Sequence, residues 1–173
     1  MEKFIVFRPD VHRSAVVDLA EDYFNWIGGE LRKNYDIDMY SVISTTLRDY
    51  VENNVDELAS SISPDGVFYL IKIKDEIVGM GALRKLKEGI GEIKRMYIKP
   101  KYQGKGLGKR MLQVLLDKGK EHGFFAIYLE TGRFMTTAQY LYRSAGLYNR
   151  AVYPETEVPP QLHRVWLFME KRL

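Results

Sequence analysis

The hydrophobic period of the chain changes once, near residue 66. Upstream, Leu19, Phe24, Ile27 and Leu31, joined by Val16, Tyr23 and Trp26, recur every three to four residues, and Leu47, Val51, Val55, Leu58 and Ile62 repeat the pattern. That spacing predicts two amphipathic helices. A short apolar run, Phe4 to Phe7, precedes them as a first strand, and Asp10, after Arg8-Pro9, is placed to cap the first helix. Gly28-Gly29 predicts a break or bend within it, and Ser63-Pro64-Asp65-Gly66 ends the second.

Downstream the pattern is that of strands. Val67 to Ile73 and Ile77 to Leu83 are rich in β-branched, aromatic and aliphatic residues, and Lys74-Asp75-Glu76 between them predicts a hairpin. A third strand runs from about Gly91 to Ile98 and ends at Lys99-Pro100. Leu107, Met111, Leu112, Leu115 and Leu116 then mark an amphipathic helix ending near Gly123, and Phe124 to Leu129 is a compact run suited to a buried strand. Thr136 or Thr137 can cap a further helix through Ala145, with Gly146 just past its end. Leu147 to Val152 and Val165 to Met169 supply the last strands, separated by a loop with Pro154, Pro159 and Pro160. The order β-α-α-β-β-β-α-β-α-β-β predicts one α/β domain around a mixed sheet.

Length supports a single unit, since 173 residues build one domain with a substantial core and are too few for two of ordinary size. The absence of Cys excludes a disulfide framework, a thiolate zinc site and a cysteine nucleophile. His12, His122 and His163 are scattered without metal-ligand spacing, so no metal is assigned. No apolar run reaches the length of a membrane span, and Lys3 and Arg8 interrupt the first residues, so neither a membrane nor a signal peptide is expected and the location expected is cytoplasmic.

Charge is unevenly spread. Between Asp10 and Asp65 there are 12 acidic and 4 basic residues, which leaves 11 acidic against 22 basic elsewhere. The basic remainder contains the most informative segment, Lys99-Pro100-Lys101-Tyr102-Gln103-Gly104-Lys105-Gly106-Leu107-Gly108-Lys109-Arg110, with alternating glycines between a strand and a helix start. Glycine lets backbone approach a ligand and adopt positive φ, and the first N–H groups of a helix have no intrahelical acceptor, so the segment is suited to hold an anion. It is not a Walker loop, because only three residues separate Gly104 from Gly108 and Arg110 stands at the magnesium-binding hydroxyl. It is not a dinucleotide fingerprint either, since Lys109 occupies the last small-residue position.

Gln103-x-x-Gly106-x-Gly108 resembles the acyl-CoA pyrophosphate motif, Q/R-x-x-G-x-G/A, of the GNAT superfamily of N-acetyltransferases. Glu92-Ile93-Lys94-Arg95-Met96-Tyr97-Ile98 resembles the strand leading into that motif, and Ala138-Gln139-Tyr140-Leu141-Tyr142-Arg143-Ser144-Ala145-Gly146-Leu147 its later A-x-x-L-Y-x-x-x-G-F helix end. The resemblance implies a mostly antiparallel mixed sheet of six or seven strands, splayed at the CoA site and flanked by helices. It divides residues 1–173 into a helical acceptor-side region at 1–66, an acetyl-CoA-binding core at 67–150, and a loop and closing strand at 151–173. Two departures stand out: Met135 where many members have Asn, and Leu147 for the frequent Phe.

The resemblance further implies acetyl-CoA as cosubstrate and an amine as acceptor. Met96, Tyr97 and Ile98 would border the pantetheine arm, with Met96 and Ile98 offering main-chain groups as a sheet edge does to an added strand. Gln103, Gly104, Lys105, Gly106, Leu107, Gly108 and Lys109 would hold the pyrophosphate. A lysine-like amine has a pKa of about 10.4, so deprotonating it at neutral pH costs roughly 4.6 kcal/mol and calls for a base. Glu92, 11 residues before Gln103, matches a family glutamate that serves as base in several members, with the alternative of a surface glutamate paired to Lys94; Glu130 is the second candidate. Tyr142 matches the tyrosine that protonates the leaving sulfur, although its helix face also suits a core aromatic, and Tyr140 is expected to be the structural member of the pair.

The acidic block predicts a cationic acceptor such as a polyamine, a small amine, or a peptide lysine or N-terminus. Asp22, Asp36 and Asp38 would select it, beside a wall drawn from Tyr23, Phe24, Trp26, Tyr35 and Tyr153. Two other classes fit parts of the sequence. A CoA-binding sensor would keep the glycine loop and need neither Glu92 nor Tyr142. A nucleic-acid-binding module would use Lys99 to Lys120, but that stretch lacks interleaved aromatics beyond Tyr102, so no nucleic acid is expected. A homodimer is compatible with the resemblance.

Overall fold

The computed structural model describes residues 1–43, 45–62 and 64–173, and Ser63 of the expected helix stop lies outside them. Its elements are β1 (Glu2–Val6), α1 (Pro9–Tyr35), α2 (Leu47–Ile62), β2 (Val67–Ile73), β3 (Glu76–Lys87), β4 (Ile90–Ile98), α3 (Leu107–Glu121), β5 (Ala126–Gly132), α4 (Thr136–Ser144), β6 (Tyr148–Arg150) and β7 (Trp166–Arg172). They build the expected single α/β domain around one open, seven-stranded sheet of order β1-β2-β3-β4-β5-β7-β6. Among the described residues only the β4–β5 pair is parallel; the other pairs are antiparallel.

Two cores result, one on each face of the sheet. Leu19, Phe24, Ile27 and Leu31 of α1 and Val51, Val55 and Leu58 of α2 pack with Leu70, Met80, Tyr97, Tyr128 and Tyr153 on one face. On the other, Leu107, Met111, Leu112, Leu115 and Leu116 of α3 join Ile71, Ile93, Ile127, Leu129 and Tyr142 of α4. The 3.6-residue stripe of each helix meets the period-2 face of the strands, so both patterns are satisfied at once. At Gly81 the approach is so close that a Cβ would stand 2.9 Å from Met111 Cγ, and only a glycine lets α3 seat there.

Several local expectations are corrected. The first helix runs unbroken through Gly28-Gly29, because Phe24, Ile27 and Leu31 are buried on either side and Gly28 packs toward Met39. Helix propensity costs about 1 kcal/mol per glycine, less than that burial contributes. The same helix begins two residues earlier than Asp10 allows as a cap: Arg8 is the capping residue, Pro9 opens the helix, and Asp10 sits in the first turn paired with Arg8 at 2.8 Å. In α4 the capping position falls on Met135, and neither Thr136 nor Thr137 caps it. The strand expected at Ile77 to Leu83 spans Glu76–Lys87, and the buried strand starts at Ala126 rather than Phe124.

Candidate active site

β4 and β5 run side by side only from Ile90 opposite Ala126 to Ile93 opposite Leu129. Beyond Ile93 they part, so Lys94 to Ile98 on one strand and Glu130 to Gly132 on the other leave a cleft between them. A bulge contributes to the parting. Met80 opposes Tyr97 and Ala82 opposes Lys94, so Gly81 alone faces both Arg95 and Met96. Arg95 takes φ 55°, a left-handed conformation that costs a non-glycine residue roughly 1–2 kcal/mol. The bulge also resets side-chain parity: Ile90 and Tyr97 lie on the α1/α2 face and Ile93, Met96 and Ile98 on the α3 face, while Lys94 and Arg95 both line the cavity on the α1/α2 side.

Below the cleft, Gly104 and Gly106 both take φ 74°, and Gly106 caps α3 without a side-chain hydrogen bond. Among the described residues, the N–H groups of Gly104 through Lys109 have no backbone acceptor in the turn. With the positive end of α3 behind them and Lys105 and Lys109 alongside, they make a cradle suited to a diphosphate. Gln103 turns its side chain back, donating through Nε2 to the Ile98 carbonyl at 2.8 Å. That bond uses one of the main-chain groups assigned to the pantetheine arm and leaves the Ile98 N–H and the Met96 groups.

Glu76, absent from the sequence-based candidates, anchors this loop from the β2–β3 turn. It accepts from Lys99 Nζ at 2.9 Å, Tyr102 Oη at 2.7 Å and Lys101 Nζ at 3.1 Å. These bonds hold its carboxyl down, from an ordinary 4.5 to about 2. No local motif could have revealed it, because its partners lie more than twenty residues away.

A cavity of about 270 Å³ lies where the strands part, between α1, α2 and the sheet. Ile93, Lys94 and Arg95 of β4 and Glu130 of β5 line it, with Tyr23, Phe24, Ile27 and Leu31 of α1, Tyr50 and Asn54 of α2, and Val158, Leu162 and Trp166. Glu130 accepts from Thr156 Oγ1 and lies 3.0 Å from Tyr153 Oη through the same oxygen, Oε1; Oε2 has Lys94 Nζ at 3.7 Å. Glu92 is fully buried behind this wall and does not line the cavity. Its Oε1 accepts from Tyr153 Oη at 2.6 Å and its Oε2 from Arg84 Nε at 2.9 Å. Tyr153 therefore bridges the two candidate bases, a link that proline-rich loop residues gave no reason to expect.

Tyr142 is buried in the core below the cleft, and burial pushes its phenol well above the ordinary range, so it keeps its proton. Its hydroxyl makes no hydrogen bond to another described residue. Tyr140, expected to be structural, is instead exposed, because α4 turns Tyr142 and Leu141 inward. Met135 is buried and its sulfur accepts from Thr131 Oγ1 at 3.5 Å.

The acidic block does not wall the cavity. Arg48 ties Asp18, Glu21 and Glu52 together and Arg13 pairs with Glu52 and Asp56, so much of the charge is spent joining α1 to α2. Asp22, Asp36 and Asp38 are exposed and line no part of it. Of the expected aromatics, Tyr23 and Phe24 reach the cavity, whereas Trp26 and Tyr35 pack against Phe134 and Tyr153 lies beneath. Among the described residues no cluster of His, Asp or Glu could hold a metal, and no helix is long and apolar enough to cross a membrane.

The sequence and the fold that carry this site are similar to those of known proteins. The model of the Acetyltransferase (GNAT) family matches residues 20–147. An IAA acetyltransferase of Azospirillum brasilense is 30% identical over the whole of both chains. An N-acetyltransferase of Escherichia coli K12, YjgM, is 34% identical over 54% of this chain and 58% of its own. Among solved structures, a GNAT acetyltransferase of Staphylococcus aureus MU50 superposes with a TM-score of 0.72 at 21% identity, over 100% of this chain and 99% of its own. The PaiA N-acetyltransferase of Thermoplasma acidophilum, solved with coenzyme A, gives 0.69 at 16%, over 100% and 99%. The chain thus belongs to the acetyltransferase (GNAT) family and is an acyltransferase.

Proposed function

We propose that this acyltransferase moves an acetyl group from acetyl-CoA to a primary amine by direct attack. The observation that carries the reading is the position of the cavity: it opens where β4 leaves β5, so a thioester lying along the fork would present its carbonyl to an amine in the cavity. Glu130 is the better placed base, because it lines the cavity and one of its oxygens is free of hydrogen-bond donors closer than Lys94. Glu92 acts behind it. A phenol has one hydrogen, so Tyr153 donates to one glutamate and can accept from the other. A proton arriving on Glu130 turns its contact with Tyr153 into a hydrogen bond and keeps the pair of carboxylates apart.

The balance of the transfer is then complete. Glu130 takes one proton from the ammonium, the freed nitrogen pair forms the C–N bond, and the tetrahedral oxyanion is met by N–H groups at the β4 bulge. The C–S bond breaks and the thiolate receives the second nitrogen proton, with Tyr142 as its donor and the nitrogen restoring Tyr142. The products are an amide, coenzyme A and one proton passed to solvent. Because the chain has no Cys, released thiol can be followed without protein background. Glu130→Gln should lower kcat by about 10²–10⁴-fold and Tyr142→Phe by about tenfold or more, each with little change in the KM for acetyl-CoA. Unaltered turnover in both variants would remove Glu130 and Tyr142 from the mechanism, and coenzyme A binding with no thiol release from acetyl-CoA in the parent protein would favour a CoA-binding sensor instead.

A further inference from the structure

The walls of the cavity carry charge in an uneven way. On the sheet side Lys94, with a side chain only 4% exposed, pairs with Glu157 at 2.7 Å and faces Glu130 and Glu92 at 3.7 and 3.8 Å. Arg84 pairs with Glu92 at 2.8 Å and Glu157 at 2.6 Å. Two cations thus answer three carboxylates, and this wall is net negative. On the helix side stands Arg95. Its guanidinium donates to Asn54 Oδ1 and lies 5.0 Å from the centre of the Phe24 ring, and no carboxylate among the described residues pairs with it.

A guanidinium that lines a cavity with no carboxylate paired to it is costly, and the backbone adds to that cost. The left-handed turn at Arg95 is what places it beside Lys94 on the cavity side; in a regular strand neighbouring side chains point to opposite faces. Asn54 and Phe24 fix its planar fork, leaving its other donors to a partner from outside. Ile27, Leu31, Met39, Leu162 and Trp166 fill the rest of the wall with apolar surface.

We propose that the acceptor is a zwitterion, an apolar α-amino acid whose carboxylate pairs with Arg95, whose ammonium turns to the negative wall at Glu130, and whose side chain lies on the apolar residues. The proposal rests on the reading of the site as an N-acetyltransferase and narrows its acceptor. It departs from the polycation that net charge along the sequence suggested, since a polyamine would bring its second ammonium toward Arg95.

The test compares leucine, methionine, phenylalanine and tryptophan with their carboxamides, which keep the amine and lose the negative charge. Thiol release from acetyl-CoA should show kcat/KM for the acid above that of its amide by about tenfold or more in at least one pair. Arg95→Met should collapse that ratio toward one, and Arg95→Lys should keep part of it. A second readout needs no turnover: with coenzyme A present, N-acetylphenylalanine should quench Trp166 fluorescence at lower concentration than N-acetylphenylalaninamide. Amides equal to or better than acids in every pair, or a ratio unmoved by Arg95→Met, would overturn the proposal while leaving N-acetylation intact. Loss of thiol release with every amine, in protein that still binds coenzyme A, would overturn both the proposal and the reading beneath it.

Discussion

At the scale of single residues, the site depends on backbone conformations that few side chains tolerate. Gly104 and Gly106 share φ 74°, yet a Cβ at Gly104 would meet nothing within 4 Å, whereas one at Gly106 would lie 3.1 Å from Arg110 Nη1. Alanine at either position costs roughly 1–2 kcal/mol of conformational strain, and at Gly106 it also crowds the start of α3. Gly106→Ala should therefore raise the Kd for coenzyme A by about tenfold or more, and Gly104→Ala by less, as measured by titration calorimetry on both variants. These glycines were readable in the sequence because glycine itself is the signal. Arg95 was not: it takes a similar φ without any compositional mark, and only the register between β3 and β4 exposes it. The same holds for Glu92 and Glu130, since nothing in their local sequence shows that Glu130 lines the cavity and Glu92 does not.

At the scale of elements, strands and helices were legible where hydrophobic period and burial agree, as in α3, whose Leu107, Met111, Leu112, Leu115 and Leu116 all point into one core. They were misread where tertiary packing overrides a local signal, as at Gly28-Gly29. Contacts between distant elements left no trace at all. Glu76 is the clearest case, since the β2–β3 turn gives no hint that it holds Lys99, Lys101 and Tyr102. Glu76→Ala should loosen the loop ahead of the glycine cradle, raising the KM for acetyl-CoA several-fold while kcat changes little. An unchanged KM would show that the three bonds do not position the loop.

For the whole molecule, the length, the element order and the mixed sheet followed from the sequence, and so did the cradle. The acceptor side did not, because charge counted along the chain ignores where it is neutralised: Arg48 and Arg13 absorb much of the acidic block between α1 and α2. The buried network beneath the cavity carries both stability and function. Arg84→Met removes the main partner of the fully buried Glu92 and should cost about 3–5 kcal/mol, lowering the Tm by roughly 6–20 °C. Within the network, burial pushes the Glu157 carboxyl up but Lys94 and Arg84 outweigh it, bringing it from 4.5 to about 2. A carboxyl lowered on folding contributes stability above its unfolded value and loses it as pH falls. Thermal melts should therefore drop between about pH 4.5 and pH 2, and Glu157→Gln should flatten that drop.

We propose the fork between β4 and β5, with the cradle below it, as the coenzyme A site. Calorimetric titration of the native protein with coenzyme A tests it most directly. One saturable site per chain is the predicted result, with a rise in Tm, weakened in Gly106→Ala and retained in Glu130→Gln. Folded protein that gives neither heat nor thermal protection at millimolar coenzyme A would rule out that site.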